Sequence, residues 1–290
     1  MVKANYVLFV GGPDSGKTNY IARLWIAIKD GNCRLSASTP PDDVAYLEQL
    51  ADFLLRGCFS PRTQRDFFSK PIINVEYSYE QKTIAGSLYF PDCHGEEWKK
   101  IYKRREWSKQ WEDIIPLVAG SLLFLRVGSD QIVAPLDWIS CYSAFGILPS
   151  NLNGSSELEG EHPTQVLAVD WIQSLQKSFV DYHSGKLRVG IILSAWDLVP
   201  IDQRDVSPRI YLKDNFPLLY QYVISNQGSI DFQVFGLSIV GGDLKEDAEC
   251  KKLFLSNPHG SGYVVLDNDN RIIKYPDVTI PIAWALGLKE

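Results

Sequence analysis

The sequence has no excess of positive charge: 29 Lys and Arg stand against 35 Asp and Glu, for a net charge of -6. A nucleic-acid surface is usually basic, so the composition argues against nucleic acid as a partner. Cysteine is sparse, and the five present (Cys33, Cys58, Cys93, Cys141 and Cys250) form no C-x-x-C pair. An odd, widely spaced set excludes a disulfide framework or a zinc site read from spacing, and fits a reducing, cytoplasmic setting. Long apolar runs are missing too. The longest, Ile114 to Leu125, contains Pro116 and Gly120 and is too short to cross a bilayer, so it reads mainly as a buried strand. No charged region followed by a long apolar stretch and cleavage site opens the chain, so no signal peptide is expected.

What is present is ordinary globular material: 290 residues, 45% hydrophobic and 22% charged, enough to bury a real core. Tyr6 to Val10 is a short apolar run stopping at Gly11-Gly12, the pattern of a buried parallel strand. Ile21, Leu24, Trp25 and Ile28 recur at helical spacing, and Gly31 can end that helix. Pro40 to Phe59 predicts a second helix, with Asp42 and Asp43 near its start. Two strands, Ile72 to Tyr79 and Ile84 to Phe90, flank the polar turn Glu80-Gln81-Lys82. A basic, Trp-rich helix from Glu96 to about Asp113 follows, then a strand from Leu122 to Val127. Residues 129–163 are irregular, and Asn151 to Glu161 reads as a surface loop. The remainder predicts a helix (Gln165 to Tyr182), a strand (Val189 to Ser194), a helix (Pro208 to Ser225) and a strand (Phe232 to Val240). A hairpin (Tyr263 to Leu266 with Ile272 to Tyr275) and a short closing helix (Ile280 to Leu288) end the chain. Strands alternating with helices predict a largely parallel sheet covered on both faces.

Gly11-Gly12-Pro13-Asp14-Ser15-Gly16-Lys17-Thr18 matches G-x-x-x-x-G-K-[ST] in full. Each position has a reason. Glycines let the backbone curl so that successive N–H groups face phosphates. The helix beginning near Lys17 adds its positive dipole end. Lys17 reaches the β and γ phosphates, and the Thr18 hydroxyl suits Mg²⁺. An apolar strand before the loop and a helical pattern after it are the context the motif requires.

Three further segments resemble P-loop GTPases of the translation-factor and Ras-like (TRAFAC) class. Leu88-Tyr89-Phe90 runs into Asp92-Cys93-His94-Gly95-Glu96, which looks like that class's D-x-x-G. The resemblance implies that Asp92 holds Mg²⁺ through water and that the Gly95 amide senses the γ-phosphate. Ser194-Ala195-Trp196-Asp197 resembles a degenerate N/T-K-x-D motif. There Asp197 would accept hydrogen bonds from guanine N1 and N2, which adenine cannot supply. Ser194 replaces the usual Asn or Thr, and Ala195 the Lys that packs over the base; Trp196 is a candidate cover in its place. Phe235-Gly236-Leu237-Ser238 resembles the loop whose N–H groups touch guanine O6. Thr63 is the favoured switch threonine for Mg²⁺, with Thr39 the alternative. Asn19, which follows the phosphate motif, joins the expected nucleotide contacts.

The resemblance implies a three-layer α/β P-loop fold, a mostly parallel sheet with one antiparallel edge strand, and helices on both faces. It also implies one Ras-like domain over residues 1–290 with an insertion at about 129–163. The expected function is a GTP-binding, slowly hydrolysing switch that uses Mg²⁺. The water-positioning place after the motif Gly is Glu96, whose charge beside the γ-phosphate disfavours fast turnover. His94 is a further candidate proton donor and Arg62 a candidate arginine finger, against their readings as a turn residue and a solvated loop residue. The helix bearing Lys99, Lys100, Lys103, Arg104, Arg105 and Lys109, with Trp98, Trp107 and Trp111 between them, reads as an effector surface, as a solvated face with its Trp residues packed on the sheet, or as a nucleic-acid or membrane contact. Within the class, the chain looks like bacterial GTPase domains of the double-GTPase type, found beside conflict and defence genes. Two alternatives stand beside the switch: a GTP-binding interaction module without turnover, which Glu96 favours, and a P-loop ATPase, which Ala195 favours.

Overall fold

The computed structural model describes residues 5–31, 33–60, 72–79, 82–90, 101–104, 106–107, 109–133, 162–200, 205–258, 260–268 and 271–288. Nine strands form one sheet in the order β2-β3-β4-β1-β5-β6-β7-β8-β9. They are β1 (Tyr6–Gly11), β2 (Leu35–Ala37), β3 (Ile72–Tyr79), β4 (Lys82–Tyr89), β5 (Val118–Arg126), β6 (Leu187–Ser194), β7 (Ile230–Ser238), β8 (Tyr263–Asn268) and β9 (Arg271–Tyr275). The helices are α1 (Lys17–Asp30), α2 (Val44–Leu55), α3 (Lys109–Glu112), α4 (Thr164–Tyr182), α5 (Pro208–Asn215), α6 (Pro217–Ser225), α7 (Ala248–Ser256) and α8 (Ile280–Ala285).

The five central strands β4, β1, β5, β6 and β7 run parallel. Antiparallel strands flank them on both sides: β2 and β3 beyond β4, β8 and β9 beyond β7. The α/β sheet with helices on both faces is thus present, but its antiparallel part exceeds the one edge strand expected. The reason is local. Only two residues separate β3 from β4 and only two separate β8 from β9, a spacing that permits only an antiparallel return in each pair.

β1 is buried on both faces, and alternation divides its side chains. Val7 and Phe9 enter a core with α1, α2 and α8; Leu8 and Val10 enter the opposite core with α3, α4, α5 and α6. Those two cores make the three layers. β3 shows the half-buried alternation of a flanking strand.

Most element boundaries lie within a few residues of expectation. α1 stops at Gly31, whose φ of 68° is left-handed and whose N–H returns to the Ile28 carbonyl. Asp43 caps α2 by accepting from the Tyr46 N–H, which shortens the expected Pro40 to Phe59 helix. Pro217 divides the single helix expected over Pro208 to Ser225 into α5 and α6. The Trp-rich stretch is not one helix: residues 101–104 and α3 are helical, while 106–107 between them are not. β2 and α7 are elements the sequence reading did not contain.

Candidate nucleotide site

All five parallel strands end at one edge of the sheet, and β1 lies where the chain order reverses between β4 on one side and β5 on the other. In an open α/β sheet that edge is where ligands bind. The phosphate motif follows β1 there. Beneath it, Phe9 (β1), Phe90 (after β4), Phe124 (β5) and Tyr20 (α1) pack with ring centroids 4.6 to 5.9 Å apart. This cluster seats α1 on the sheet. Burial of the Tyr20 ring pushes its phenol well above the usual range, and its hydroxyl donates to the Val278 carbonyl at 2.8 Å.

The loop is tightly folded. Lys17 Nζ turns back to donate to the Gly11 carbonyl, to the Gly12 carbonyl at 3.0 Å and to Ser15 Oγ at 3.0 Å. Gly16, the residue before α1, has φ 86°, and a Cβ there would lie 3.0 Å from Ser194 Oγ. The left-handed backbone favours glycine there, and a Cβ would crowd Ser194. The non-glycine residues with left-handed backbone among the described residues are Asp14 (φ 58°) and Ala195 (φ 54°). Both fall inside the candidate site, where strained backbone tends to collect.

Two neighbouring strands hold this loop. Ser194, at the end of β6, donates its buried hydroxyl to the Ser15 carbonyl at 2.7 Å. Arg126, at the end of β5, places Nη1 at 2.7 Å from both Asp14 oxygens, and Ser129 Oγ donates to Asp14 Oδ2 at 3.0 Å. The sequence reading did not include Arg126 or Ser129. The signal was a lone Arg closing an apolar strand run, Leu122 to Leu125. Pro13 is exposed. Asn19 Oδ1 accepts from the Ser60 N–H and hydroxyl, each at 3.0 Å, so this side chain ties α1 to the segment after α2.

The expected base-reading segments sit on β6 and β7, next to each other in the sheet. Ala195 opens a single turn of 3-10 helix, Trp196–Leu198, that carries half-buried Asp197. Trp196 corrects one expectation. Its indole is 5% exposed, packs edge-to-face on Tyr211 at 5.4 Å and lies over Gly236, where a Cβ would come within 2.5 Å of the ring. The ring belongs to the core and leaves no face to cover a base. Ser238 is fully buried and accepts from the Gly241 N–H at 2.9 Å, shaping the loop after β7. Arg23 of α1, 2% exposed, reaches that loop through Nε to the Ile239 carbonyl at 3.1 Å; burial lowers its pKa. Asp197 lies near Cys250 of α7. Burial first, then the carboxylates of Asp247, Asp197 and Asp243, push the Cys250 thiol upward.

A cavity of about 350 Å³ is lined by Gly241, Gly260, Ser261, Gly262, Tyr263, Lys274 and Pro276. None of these belongs to the Gly11 to Thr18 loop.

For Mg²⁺, the half-buried Thr18 hydroxyl makes no hydrogen bond among the described residues, and a hydroxyl oxygen is a hard donor of the kind this ion takes. Among the described residues Thr18 is thus one oxygen donor of the kind this ion takes, and no three His, Cys, Asp or Glu side chains cluster there. Thr63, Asp92, Gly95 and Glu96 lie outside the described residues, as do Arg62, His94 and Trp98. Of the other Trp residues in that stretch, Trp111 is 1% exposed, and Trp107 packs edge-to-face on Trp171 while donating Nε1 to Ser178 Oγ at 2.9 Å. Both are packed inward rather than displayed.

The strand-loop-helix arrangement at the switch point, with a Lys folded into its own loop, is that of a P-loop nucleotide-binding protein. The Double-GTPase 1 family model matches residues 8–285, so the chain belongs to that family. Among solved structures it is similar to the signal recognition particle receptor SRb-GTP/SRX complex from Chaetomium thermophilum, at 13% identity and TM-score 0.36, covering 88% of this chain and 97% of that one. It is also similar to Methanosarcina barkeri Roco2 RocCORdC bound to GDP, at 15% identity and TM-score 0.30, covering 87% of this chain and 47% of that one. Among curated proteins none matches.

Proposed function

We propose that this chain binds GTP with Mg²⁺ at Gly11 to Thr18, hydrolyses it slowly to GDP and phosphate, and acts as a nucleotide-dependent switch toward a protein partner. The observation that carries the reading is the Ser194–Ser15 hydrogen bond. It fixes the strand that leads to Asp197 against the phosphate loop, so a base reader and a phosphate cradle are held in one unit.

Lys17 neutralises charge on the β and γ phosphates, while the loop N–H groups and the start of α1 orient them. Thr18, with Thr63 and Asp92, would hold Mg²⁺, which supplies charge neutralisation at the phosphates when bound. The backbone N–H groups of Gly11, Asp14, Ser15, Gly16, Asn19 and Gly95 contribute further phosphate contacts, while Pro13, which has no N–H, fixes the bend of the loop. Asp197 accepts from guanine N1 and N2, and the backbone of Ala195, Trp196 and Ser238 frames the base. Glu96 orients the attacking water at the cost of placing a negative charge near the γ-phosphate, which keeps turnover slow.

The test is competition of GTP and ATP for a fluorescent guanine nucleotide. Preference for GTP supports the reading; indifference to the base overturns the role of Asp197. Glu96 favours a second reading, a GTP-binding module without turnover. Multiple-turnover phosphate release, abolished in Lys17→Ala, supports the enzyme; its absence supports the module.

A further inference from the structure

A carboxylate in an anion-binding loop needs an explanation. Asp14 lies between Gly12 and Gly16, in a stretch whose N–H groups and following helix favour anions, and its own charge opposes a polyphosphate. The structure supplies a counter-charge. Arg126 is two residues beyond Phe124, which pairs with Gly11 across β1 and β5, so both side chains leave the same face of the sheet. Phe124 goes under the loop into the α1 core, and Arg126 reaches the loop itself. Only Nη1 is used, on both Asp14 oxygens at 2.7 Å, and Ser129 takes a third contact to the same carboxylate.

A guanidinium has five N–H donors in a planar fork. Among the described residues, Arg126 Nη2 and Nε make no hydrogen bond, and its side chain is 36% exposed. The loop therefore carries, at its bend, a cation held by one terminal nitrogen with the rest of its donors unused among the described residues. That fork suits phosphate oxygens.

We propose that Arg126 is a phosphate-contacting residue of the nucleotide site, positioned by Asp14 and Ser129, that favours the triphosphate over the diphosphate. The inference rests on the nucleotide reading above. The Asp14 carboxylate holds the guanidinium beside the loop, and the arriving phosphates share it. The more negative ligand gains more from this cation, so its presence discriminates by charge.

The experiment is titration of wild type, Arg126→Ala, Arg126→Gln, Asp14→Asn and the double variant Arg126→Ala/Asp14→Asn with Mg·GTP and Mg·GDP. Thermal melts verify folding; the pair is about one-third exposed, so its loss should leave the fold intact. The expected result is at least tenfold weaker GTP binding for both Arg126 variants, with GDP affected less than threefold. Asp14→Asn, which removes the positioning carboxylate but keeps the cation, should weaken GTP binding less than either Arg126 variant and leave GDP within threefold. In the double variant the Arg126 loss should dominate. Equal losses for Arg126→Ala and Asp14→Asn on both nucleotides would overturn the proposal, because Arg126 would then only shape the loop. No effect of either Arg126 variant overturns it as well. Absence of binding to wild type, unchanged in Lys17→Ala, instead overturns the nucleotide reading on which it stands.

Discussion

Removing one hydroxyl, in Ser194→Ala, should loosen the phosphate loop measurably. The Ser194 hydroxyl and the Ser15 carbonyl meet at 2.7 Å. Each residue is only 6% exposed, so water cannot readily take the place of the lost donor. A net hydrogen bond is worth about 1 kcal/mol, and a buried group left unpaired costs about 1–3 kcal/mol. A central figure of about 2 kcal/mol follows. If the whole cost falls on global unfolding, Tm drops by about 3 to 6 °C at the usual scaling for a chain of this size. If it falls on the loop alone, the binding-competent arrangement loses up to roughly thirtyfold in population, and nucleotide affinity falls by that factor. Differential scanning calorimetry and nucleotide titration together partition the cost. Tm within 1 °C of wild type together with affinity within twofold would refute the claim that this bond pins the loop.

Gly236→Ala should place a methyl within 2.5 Å of the Trp196 indole. It should cost about 1–3 kcal/mol as overpacking and weaken guanine discrimination by shifting the turn that carries Asp197; calorimetry with GTP and ATP titrations checks both. Asp197→Asn removes one carboxylate that holds the Cys250 thiol above its ordinary range. The Cys250 pKa should therefore fall, the thiolate fraction at pH 8 should rise, and alkylation of that peptide by iodoacetamide should quicken, as followed by mass spectrometry; an unchanged rate would separate the two residues. Arg23→Ala should destabilise by about 3 kcal/mol in urea unfolding, since removing a side chain 2% exposed leaves the Ile239 carbonyl without this donor and opens a void. The Glu48 carboxyl is held below its usual value by hydrogen bonds from Lys29 and then Trp25. Its contribution is present above the ordinary carboxylate range and is lost as pH falls through the lowered value. At this exposure Glu48→Gln should change stability at pH 7 by about 1 kcal/mol or less and flatten part of the acid limb.

The loop between β1 and α1 was legible because its residues are contiguous. Eight consecutive residues between an apolar run and a helical pattern carry the whole signal. The central strands were equally plain, since burial on both faces makes them continuously apolar. What escaped was non-local. Arg126 meets Asp14 across 112 positions and Ser194 meets Ser15 across 179, and no spacing rule links such pairs. Trp196 misled for a related reason. An aromatic in a base-reading motif looks like a cover, but the space above Gly236, which only the sheet register creates, takes the ring into the core. β2 is three residues long, too short for periodicity, and α7 buries only Phe254, so its apolar face is too weak to detect. The Trp-rich stretch reads as one helix by composition, while the packing of Trp107 and Trp111 against α4 turns these aromatics inward.

The central claim is that Gly11 to Thr18 and Asp197 form one guanine nucleotide site. Isothermal titration of wild type, Lys17→Ala and Asp197→Asn with Mg·GTP, Mg·ATP and Mg·xanthosine triphosphate tests it most directly. The account predicts one GTP site per chain, ATP weaker by a hundredfold or more, loss of GTP binding in Lys17→Ala, and a switch of preference toward xanthosine triphosphate in Asp197→Asn. GTP binding that survives Lys17→Ala, or equal affinities for GTP and ATP, would contradict it.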